Sequence, residues 1–166
     1  MTSVTTRTYT EGEITVFWDS SRCIHVGNCL RAQPEVFNVR RRPWVMLENG
    51  TLEEVIDAVR SCPTGALRYE LSGEPEPPYE HTTLVPIPNG PLLVRGHVEV
   101  VDAENGKVLT KENRLALCRC GNTRNSPFCD NSHRRVRFKE QVPEAPATAP
   151  EAPSDICPPQ NFDATA

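Results

Sequence analysis

Four candidate metal ligands lie close together near the C-terminal end of the sequence, and they constrain the fold more than any other feature. They form the pattern Cys-x-Cys-x8-Cys-x3-His within sixteen residues, so one short segment brings three thiols and one imidazole to the same place. Gly121 and Pro127 lie between them, where they can bend the chain. On ligand types alone, a structural zinc site with three cysteines and one histidine remains an alternative to a larger metal centre. The four residues are Cys118, Cys120, Cys129 and His133.

Seven cysteines in 166 residues favour metal ligation or redox chemistry over a disulfide framework, since an odd number of thiols cannot all pair. The first residues, MTSVTTRTYTEGE, contain no apolar run typical of a secretory signal. No run of about 18 apolar residues is present either, so we expect a cytoplasmic protein that does not enter a membrane. The formal net charge is −4, and nothing in its distribution predicts a nucleic-acid partner.

Residues 9–70 show a mixed pattern of strands and one helix. The segment EITVFW (13–18) alternates and is rich in β-branched and aromatic residues, which predicts a strand. Thr51 and Glu54 form a capping-box pattern at the start of TLEEVIDAVRSC, which predicts a helix. The segment ALRY predicts a short closing strand. The apolar residues on one face of the predicted helix are Leu52, Val55, Ile56 and Val59.

The remainder of the chain divides by composition. Residues 71–81 are rich in proline and predict a stiff linker. Residues 82–139 are rich in β-branched residues and predict a β-rich unit with a turn at ENGK (104–107). Residues 140–166 are rich in proline, alanine and glutamate, which predicts a disordered tail whose Cys157 is a free thiol. We therefore predict an α+β protein of two small units, each of a size that a metal site often stabilises.

The segment LCRCGNTRNSPFCDNSH (117–133) resembles the CDGSH (mitoNEET-like) iron–sulfur family. The family pattern is C-x-C, then a serine or threonine, then P-x-C-D-G-x-H. The resemblance covers about residues 85–138 and includes NGPLLVRG, which is similar to the strand before the site. Asn131 stands where the family usually has glycine, and we expect it to adopt the same left-handed backbone. The matching residues are Cys118, Cys120, Thr123, Pro127, Cys129, Asp130 and His133.

This resemblance implies a 2Fe–2S cluster with two cysteines on one iron and a Cys–His pair on the other. A neutral imidazole carries less negative charge than a thiolate, so His133 is expected to raise the reduction potential. Protonation of its far nitrogen would make the potential fall as the pH rises. Because His–Fe bonds break on protonation more readily than Cys–Fe bonds, delivery of the cluster to another protein is an alternative. Asp130 is expected to cap the short helix that presents His133.

A second set of cysteines lies in the first unit, in the segment CIHVGNC and in a Cys-Pro pair at Cys62. Bacterial ferredoxins carry C-x2-C-x2-C-x3-C-P, in which the cysteine before proline ligates a separate cluster. Cys23 and Cys29 occupy the first and third positions of this frame, and Val26 occupies the second. The segments ITVFWDSSRCIHVGNCLRAQPEVFNVRRRPWV and VRSCPTGALRYE resemble the divergent single-cluster 4Fe–4S ferredoxin-like family over about residues 9–70. The resemblance implies a cubane-type cluster held by these three cysteines.

The fourth ligand of this cluster is open. Three cysteines suffice for a 3Fe–4S cluster, whereas a 4Fe–4S cluster needs His25, a water or a small molecule as well. His25 is otherwise expected to hydrogen-bond cluster sulfur or backbone. Gly27 is expected to let backbone N–H groups approach the sulfides, which would raise the potential.

We expect a one-electron carrier that exchanges electrons with a redox partner protein. Cluster storage, transfer to an apo iron–sulfur protein and redox sensing are alternatives, and a structural zinc interaction module is a lesser one. The sequence shows no Ser/His/Asp or Cys/His/Asn arrangement in a recognisable context, so we do not expect an enzyme. Arg40–Arg42 could dock an acidic redox partner, or they could form an exposed, solvated loop.

Overall fold

Two antiparallel sheets, one in each half of the chain, form the framework of the computed structural model, which describes residues 6–140. The strands are β1 (Thr6–Glu11), β2 (Ile14–Asp19), β3 (Leu67–Leu71), β4 (Glu74–Pro75), β5 (Thr83–Pro86), β6 (Leu92–Val101) and β7 (Val108–Leu117). The helices are α1 (Asn28–Ala32), α2 (Leu52–Arg60) and α3 (Ser132–Arg135), with a 3-10 turn at Leu47–Asn49. The strand orders are β1-β2-β3-β4 and β5-β6-β7, which confirms the predicted α+β class. The predicted disorder beyond residue 140, including Cys157, lies outside the described residues.

The helix predicted in the first half is α2, and its start has the predicted capping box. The Thr51 N–H donates to Glu54 Oε2 at 2.8 Å, and the Glu54 N–H donates to Thr51 Oγ1 at 3.4 Å. These reciprocal bonds satisfy backbone donors that the first turn of a helix leaves free. Val55 and Val59 are fully buried, so the helix presents its apolar face to the first sheet.

The core of the first half lies between α2 and β1–β3. Three aromatic rings meet in it: the Trp44 ring lies 5.1 Å from that of Trp18 and 5.8 Å from that of Phe37, measured between centroids. The buried apolar residues of this core pack against Cys29 and Cys62, two of the first group of cysteines. Its buried members are Ile14, Val16, Val36, Phe37, Trp44, Val45, Leu47, Val55, Ala58, Val59, Leu67 and Tyr69.

The second half is a three-stranded sheet dominated by the β6–β7 hairpin. The predicted turn at 104–107 joins these strands, and Asp102 Oδ1 accepts the N–H groups of Glu104 and Asn105. The last residues of β7 lead directly into the segment that carries the second group of ligands.

The proline-rich segment between the halves lies against the protein. Its strand β4 pairs with β3, and the Glu76 N–H donates to Tyr69 O at 3.1 Å. The Glu76 side chain is buried and forms an ion pair with Arg114 of β7 at 2.6 Å. The segment therefore contributes a buried charge to the contact between the two halves.

Arg114 is the centre of that contact and is 2% exposed. Its guanidinium donates to the backbone oxygens of Val59, Cys62 and Leu67, in addition to the Glu76 carboxylate. Val59 lies in the last turn of α2, so an arginine of the second half satisfies carbonyls at the C-terminal end of a helix in the first. This buried network fixes the two halves against each other.

A second ion pair lies beside the first. Arg22 Nη1 contacts Glu112 Oε1 at 2.7 Å, and the Arg22 guanidinium lies 4.2 Å from the centroid of the Phe128 ring. Both charged partners are buried. Because Arg22 immediately precedes Cys23, this contact also positions the first group of cysteines. In the part of the chain that the structure describes, no helix has the length and apolar character needed to cross a membrane.

Candidate metal centres

The second group of ligands follows β7: the three cysteines lie on two adjoining loops, and His133 lies in α3. The Cys118 N–H donates to Pro127 O at 2.9 Å, and the Cys129 N–H donates to Ala116 O at 2.8 Å. Together with the bridge between Leu117 and Phe128, these bonds form a short antiparallel ladder. The ladder holds the Cys-x-Cys segment next to the segment that carries Cys129 and His133.

The four predicted ligands come together as two pairs. The sulfurs of Cys118 and Cys120 are 3.7 Å apart, and the Cys129 sulfur is 3.4 Å from His133 Nδ1. Two thiolates on one tetrahedral metal, with bonds of about 2.3 Å, stand about 3.8 Å apart. Each pair therefore has the spacing of two ligands on one metal, and two pairs supply two metals. This arrangement fits a two-iron cluster.

Hydrogen bonds and burial act differently on these four side chains. Burial raises the pKa of Cys120 and of Cys129, whereas Cys118 and His133 shift toward their ligating forms. Burial raises the pKa of Cys118, but the N–H groups of Thr123, Gly121 and Cys120 outweigh it and hold the pKa below its usual value. Burial, with the charge of Arg134, lowers the pKa of His133 and favours the neutral imidazole. Thiolate and neutral imidazole are the forms that ligate metals.

Asp130 and Asn131 build the turn that presents His133. The Asp130 carboxylate accepts the N–H groups of Arg124 and Ser132, each at 2.9 Å, and these bonds hold its pKa well below the usual range. Ser132 is the first residue of α3, so Asp130 accepts a backbone N–H at the start of this helix as predicted, although the N-cap position itself is occupied by Asn131. Asn131 has φ +69°, which confirms the predicted left-handed backbone at the position where the family usually has glycine. Its N–H also donates to the Cys129 sulfur at 3.4 Å.

The first group of cysteines comes from three separate elements. Cys23 lies in the loop after β2, Cys29 lies in α1, and Cys62 follows α2. Asn28 ties two of these elements together, because its Nδ2 donates to Ser61 O at 2.9 Å, one residue before Cys62. All three cysteines line one cavity of about 40 Å³.

Burial and neighbouring thiols disfavour ionisation of Cys23 and Cys29 in this cavity, and a bound metal would offset that effect. Burial and the neighbouring thiols Cys62 and Cys23 raise the pKa of Cys29 to about 12. Burial also raises the pKa of Cys23, although the N–H of His25 and the side chain of Trp18 act in the opposite direction. The three thiols are partly buried and close together, so bound metal ions would favour the ionised forms that burial disfavours at Cys23 and Cys29.

Trp44 gives independent support for a sulfur-containing group at this site. Its ring lines the same cavity and is 8% exposed, yet its buried indole Nε1 has no hydrogen-bond partner among the described residues. A buried donor without an acceptor costs about 1–3 kcal/mol. A group in the cavity that carries sulfur acceptors would satisfy it, so the residues present fit an iron–sulfur cluster.

His25 lies at the rim of this cavity with a left-handed backbone at φ +56°. Its Nδ1 is 3.8 Å from the Cys23 sulfur, and its side chain is exposed. Val26, which occupies the second position of the ferredoxin frame, also lines the cavity and packs against Ile24, Ala116 and Cys129, but its hydrocarbon side chain cannot bind a metal. His25 is thus the nearer candidate for a fourth ligand. Within residues 6–140, no three side chains of His, Cys, Asp or Glu meet closely enough to hold a single metal ion.

The two sites share a wall formed by Ile24. This residue follows Cys23 in the chain, is 5% exposed, and packs against Cys129 of the other site. Its carbonyl oxygen accepts a hydrogen bond from Asn131 Nδ2. One residue therefore contacts a ligand segment of each site.

Sequence reasoning missed Ile24, Asn28 and Arg114. The first two carry no signal of their own, because their roles depend on segments more than thirty residues away. The third had a weak signal: Glu112 and Arg114 alternate on the inward face of β7, where opposite charges two residues apart are unusual.

Comparisons with known proteins cover both regions of the chain that carry candidate ligands. A family model described as divergent 4Fe-4S mono-cluster matches residues 9–72, and one described as iron-binding zinc finger CDGSH type matches residues 89–134. The uncharacterized protein YjdI of Escherichia coli K12 is 38% identical over 63 residues, which are 38% of this chain and 83% of that protein. YjdI of Escherichia coli O157:H7 has the same identity and coverage.

Proposed function

We infer the function from the family: this chain belongs to the divergent 4Fe–4S mono-cluster family over residues 9–72, and it joins that region to a CDGSH-type iron-binding region over residues 89–134. We propose that this iron–sulfur protein is a one-electron carrier with two centres. Such a carrier takes one electron from a reduced partner and passes it to an oxidised one. It needs no substrate turnover of its own, so we propose that it is not an enzyme.

The ligand assignments follow the two sites. In the second site, Cys118 and Cys120 would hold one iron of a 2Fe–2S cluster, and the Cys129–His133 pair would hold the other. In the first site, three cysteines would hold a 3Fe–4S or 4Fe–4S cluster, with His25 as the candidate for a fourth ligand. When bound, these groups supply one-electron chemistry, and the chain tunes it through ligation, hydrogen bonds and burial. The first-site cysteines are Cys23, Cys29 and Cys62.

The shared wall at Ile24 is the observation that carries the proposal. Electron transfer rates fall steeply with distance. The path from Cys23 to Cys129 passes through a single residue, Ile24, which is covalently bonded to Cys23 and packs on Cys129. The Asn131–Ile24 hydrogen bond adds a second connection between the ligand segments. A protein that only stored one cluster would not need two sites in this contact.

Stepwise reduction of anaerobically purified protein tests this function. We expect iron and sulfide in the sample, and two one-electron signals in electron paramagnetic resonance that return unchanged over repeated cycles. When both centres are reduced, their signals should broaden through magnetic interaction, because the sites are neighbours. Loss of iron to an added apo-ferredoxin during the same cycles would favour a cluster donor instead. A colourless protein that contains zinc would contradict both.

Cluster donation has one observation in its favour. His133 and the Cys-x-Cys pair are half-buried, whereas Cys129 is 4% exposed. An acceptor protein could therefore reach three ligands of the second site. These three half-buried ligands would exchange first, and Cys129 would release the cluster last.

The Trp44 indole provides a test of the first centre. Replacing Trp44 by phenylalanine keeps the ring but removes the unpartnered N–H, so the reduction potential of this centre should fall. A net hydrogen bond of about 0.5–1.5 kcal/mol corresponds to roughly 20–65 mV for a one-electron couple. Redox titration of the visible spectrum measures the shift. Tyr9→Phe is the control, since Tyr9 packs on the Trp44 ring and should leave the potential unchanged. An unchanged potential in Trp44→Phe would show that the indole donates to no cluster sulfur.

A further inference from the structure

A groove of about 440 Å³ opens beside His133, where the two halves meet. Ile24 and Val26 of the first half and Ile87 of the second form apolar parts of its lining. His133 contributes to the same lining and is half-buried. The groove thus reaches from the protein surface to a ligand of the second site.

The rim of this groove is positively charged. Arg134, Arg137 and Lys139 line it, all three are exposed, and none forms an ion pair within residues 6–140. No acidic residue lines the groove, because the nearby Glu140 carboxylate turns toward Arg119 and the Asn89 N–H. This rim contrasts with the chain as a whole, whose formal net charge is −4.

The backbone at the rim is also unusual. Arg137 has φ +50°, a left-handed conformation that is unfavourable for a residue with a long side chain. Strained backbone is often retained where a side chain must point in a particular direction for function. Arg41 and Arg42, in the other basic segment of the sequence, instead donate to backbone oxygens of their own loop. The charged side chains of the rim are therefore available to a partner, whereas Arg41 and Arg42 already donate to backbone oxygens of their own loop.

We propose that this groove is the docking site of an acidic redox partner protein, which exchanges one electron with the second centre through His133. This proposal rests on the proposed carrier function. An apolar centre with a charged rim is the anatomy of a transient protein interface, and a field of one sign steers a partner of the opposite sign toward it. In each encounter, a reduced partner loses one electron and the centre gains it, or the reverse occurs with an oxidised partner.

Binding of poly-L-glutamate at low salt tests the charge selectivity of the groove. The test variant carries Arg137→Glu and Lys139→Glu, and the matched control carries Arg40→Glu and Lys107→Glu, which change the net charge equally at exposed sites elsewhere. We expect the wild type and the control to bind alike and the test variant to bind about tenfold more weakly or worse. The visible spectrum of each iron-loaded variant should remain that of the wild type.

Electron exchange gives a second measurement. The reduced second centre should pass its electron to ferricyanide, an anion, more slowly in the test variant than in the control. Its transfer to hexaammineruthenium(III), a cation, should become faster in the same variant. Equal changes in both variants would show an effect of net charge alone and would overturn the proposal.

Two further outcomes identify other occupants and would also overturn it. Citrate binding as strongly as poly-L-glutamate would indicate a site for a small anion. The segment 141–166 carries four acidic residues and no basic one, so it could compete in the same chain. Binding of poly-L-glutamate only after Glu144, Glu151, Asp155 and Asp163 are changed to their amides would assign the groove to that segment. Failure of the carrier function appears separately, as iron-free protein or as the absence of reversible one-electron signals.

Discussion

Replacing Cys129 by serine should abolish the second centre and leave the first in place, and Cys29→Ser should do the reverse. Serine is nearly isosteric with cysteine, so the packing of Cys129 on Ile24 and Ala116 survives while a thiolate ligand is lost. The Cys129 variant should lose roughly two irons, and the Cys29 variant roughly three or four. Iron and sulfide counts with electron paramagnetic resonance of both variants measure this separation.

Cys157→Ser is the matched control for these variants. It removes a cysteine of the predicted tail and should change neither iron content nor spectrum. If all three variants retain the iron and the visible bands of the wild type, both ligand assignments are wrong. If the Cys129 variant instead loses zinc and no iron, the second site is a zinc site, and the electron-carrier function fails.

Replacing Arg114 by methionine should lower the stability of the whole protein by about 3–5 kcal/mol, because it leaves the charge of Glu76 buried without a partner. Three backbone oxygens, of Val59, Cys62 and Leu67, lose a donor in the same change. For a chain of this length, the midpoint of thermal unfolding should fall by roughly 10 °C or more. Circular dichroism of the iron-loaded protein during heating measures the shift.

A second substitution separates the ion pair from the packing around it. Because replacement of both buried partners by apolar groups removes the unpaired charge, Arg114→Met with Glu76→Leu should recover part of the lost stability. Lys107→Met, at an exposed turn, is the control and should change the midpoint little. A midpoint in Arg114→Met equal to that of the control would show that the buried network does not hold the halves together.

Local features of the sequence predicted the elements well. The capping box at Thr51 and the alternation in β2 depend on neighbours within a few residues, so their chemistry is visible in the sequence itself. The left-handed turn at Asn131 was predicted for the same reason, since few residues other than glycine and asparagine tolerate it. The cysteine spacings indicated two metal sites because ligands must converge.

The contact between the sites could not be predicted from the sequence. Ile24 is an ordinary apolar residue between two candidate ligands, and only the folded chain places it on Cys129. Arg114 is one polar residue in a strand, and its carbonyl partners lie 47 to 55 residues earlier. The unpartnered indole of Trp44 likewise depends on how three aromatic rings pack. Such long-range arrangements have no local signature.

Gly65, three residues after Cys62, touches the second half directly. It has φ +66°, and a β-carbon placed on it would stand 2.3 Å from the backbone oxygen of Arg114. Backbone atoms of the two halves are therefore in direct contact here, and no flexible side chain lies between them. Hinge motion at this point would have to separate backbone from backbone, so the structure favours a fixed arrangement of the two halves. The separation between the two groups of candidate ligands is therefore set when the chain folds.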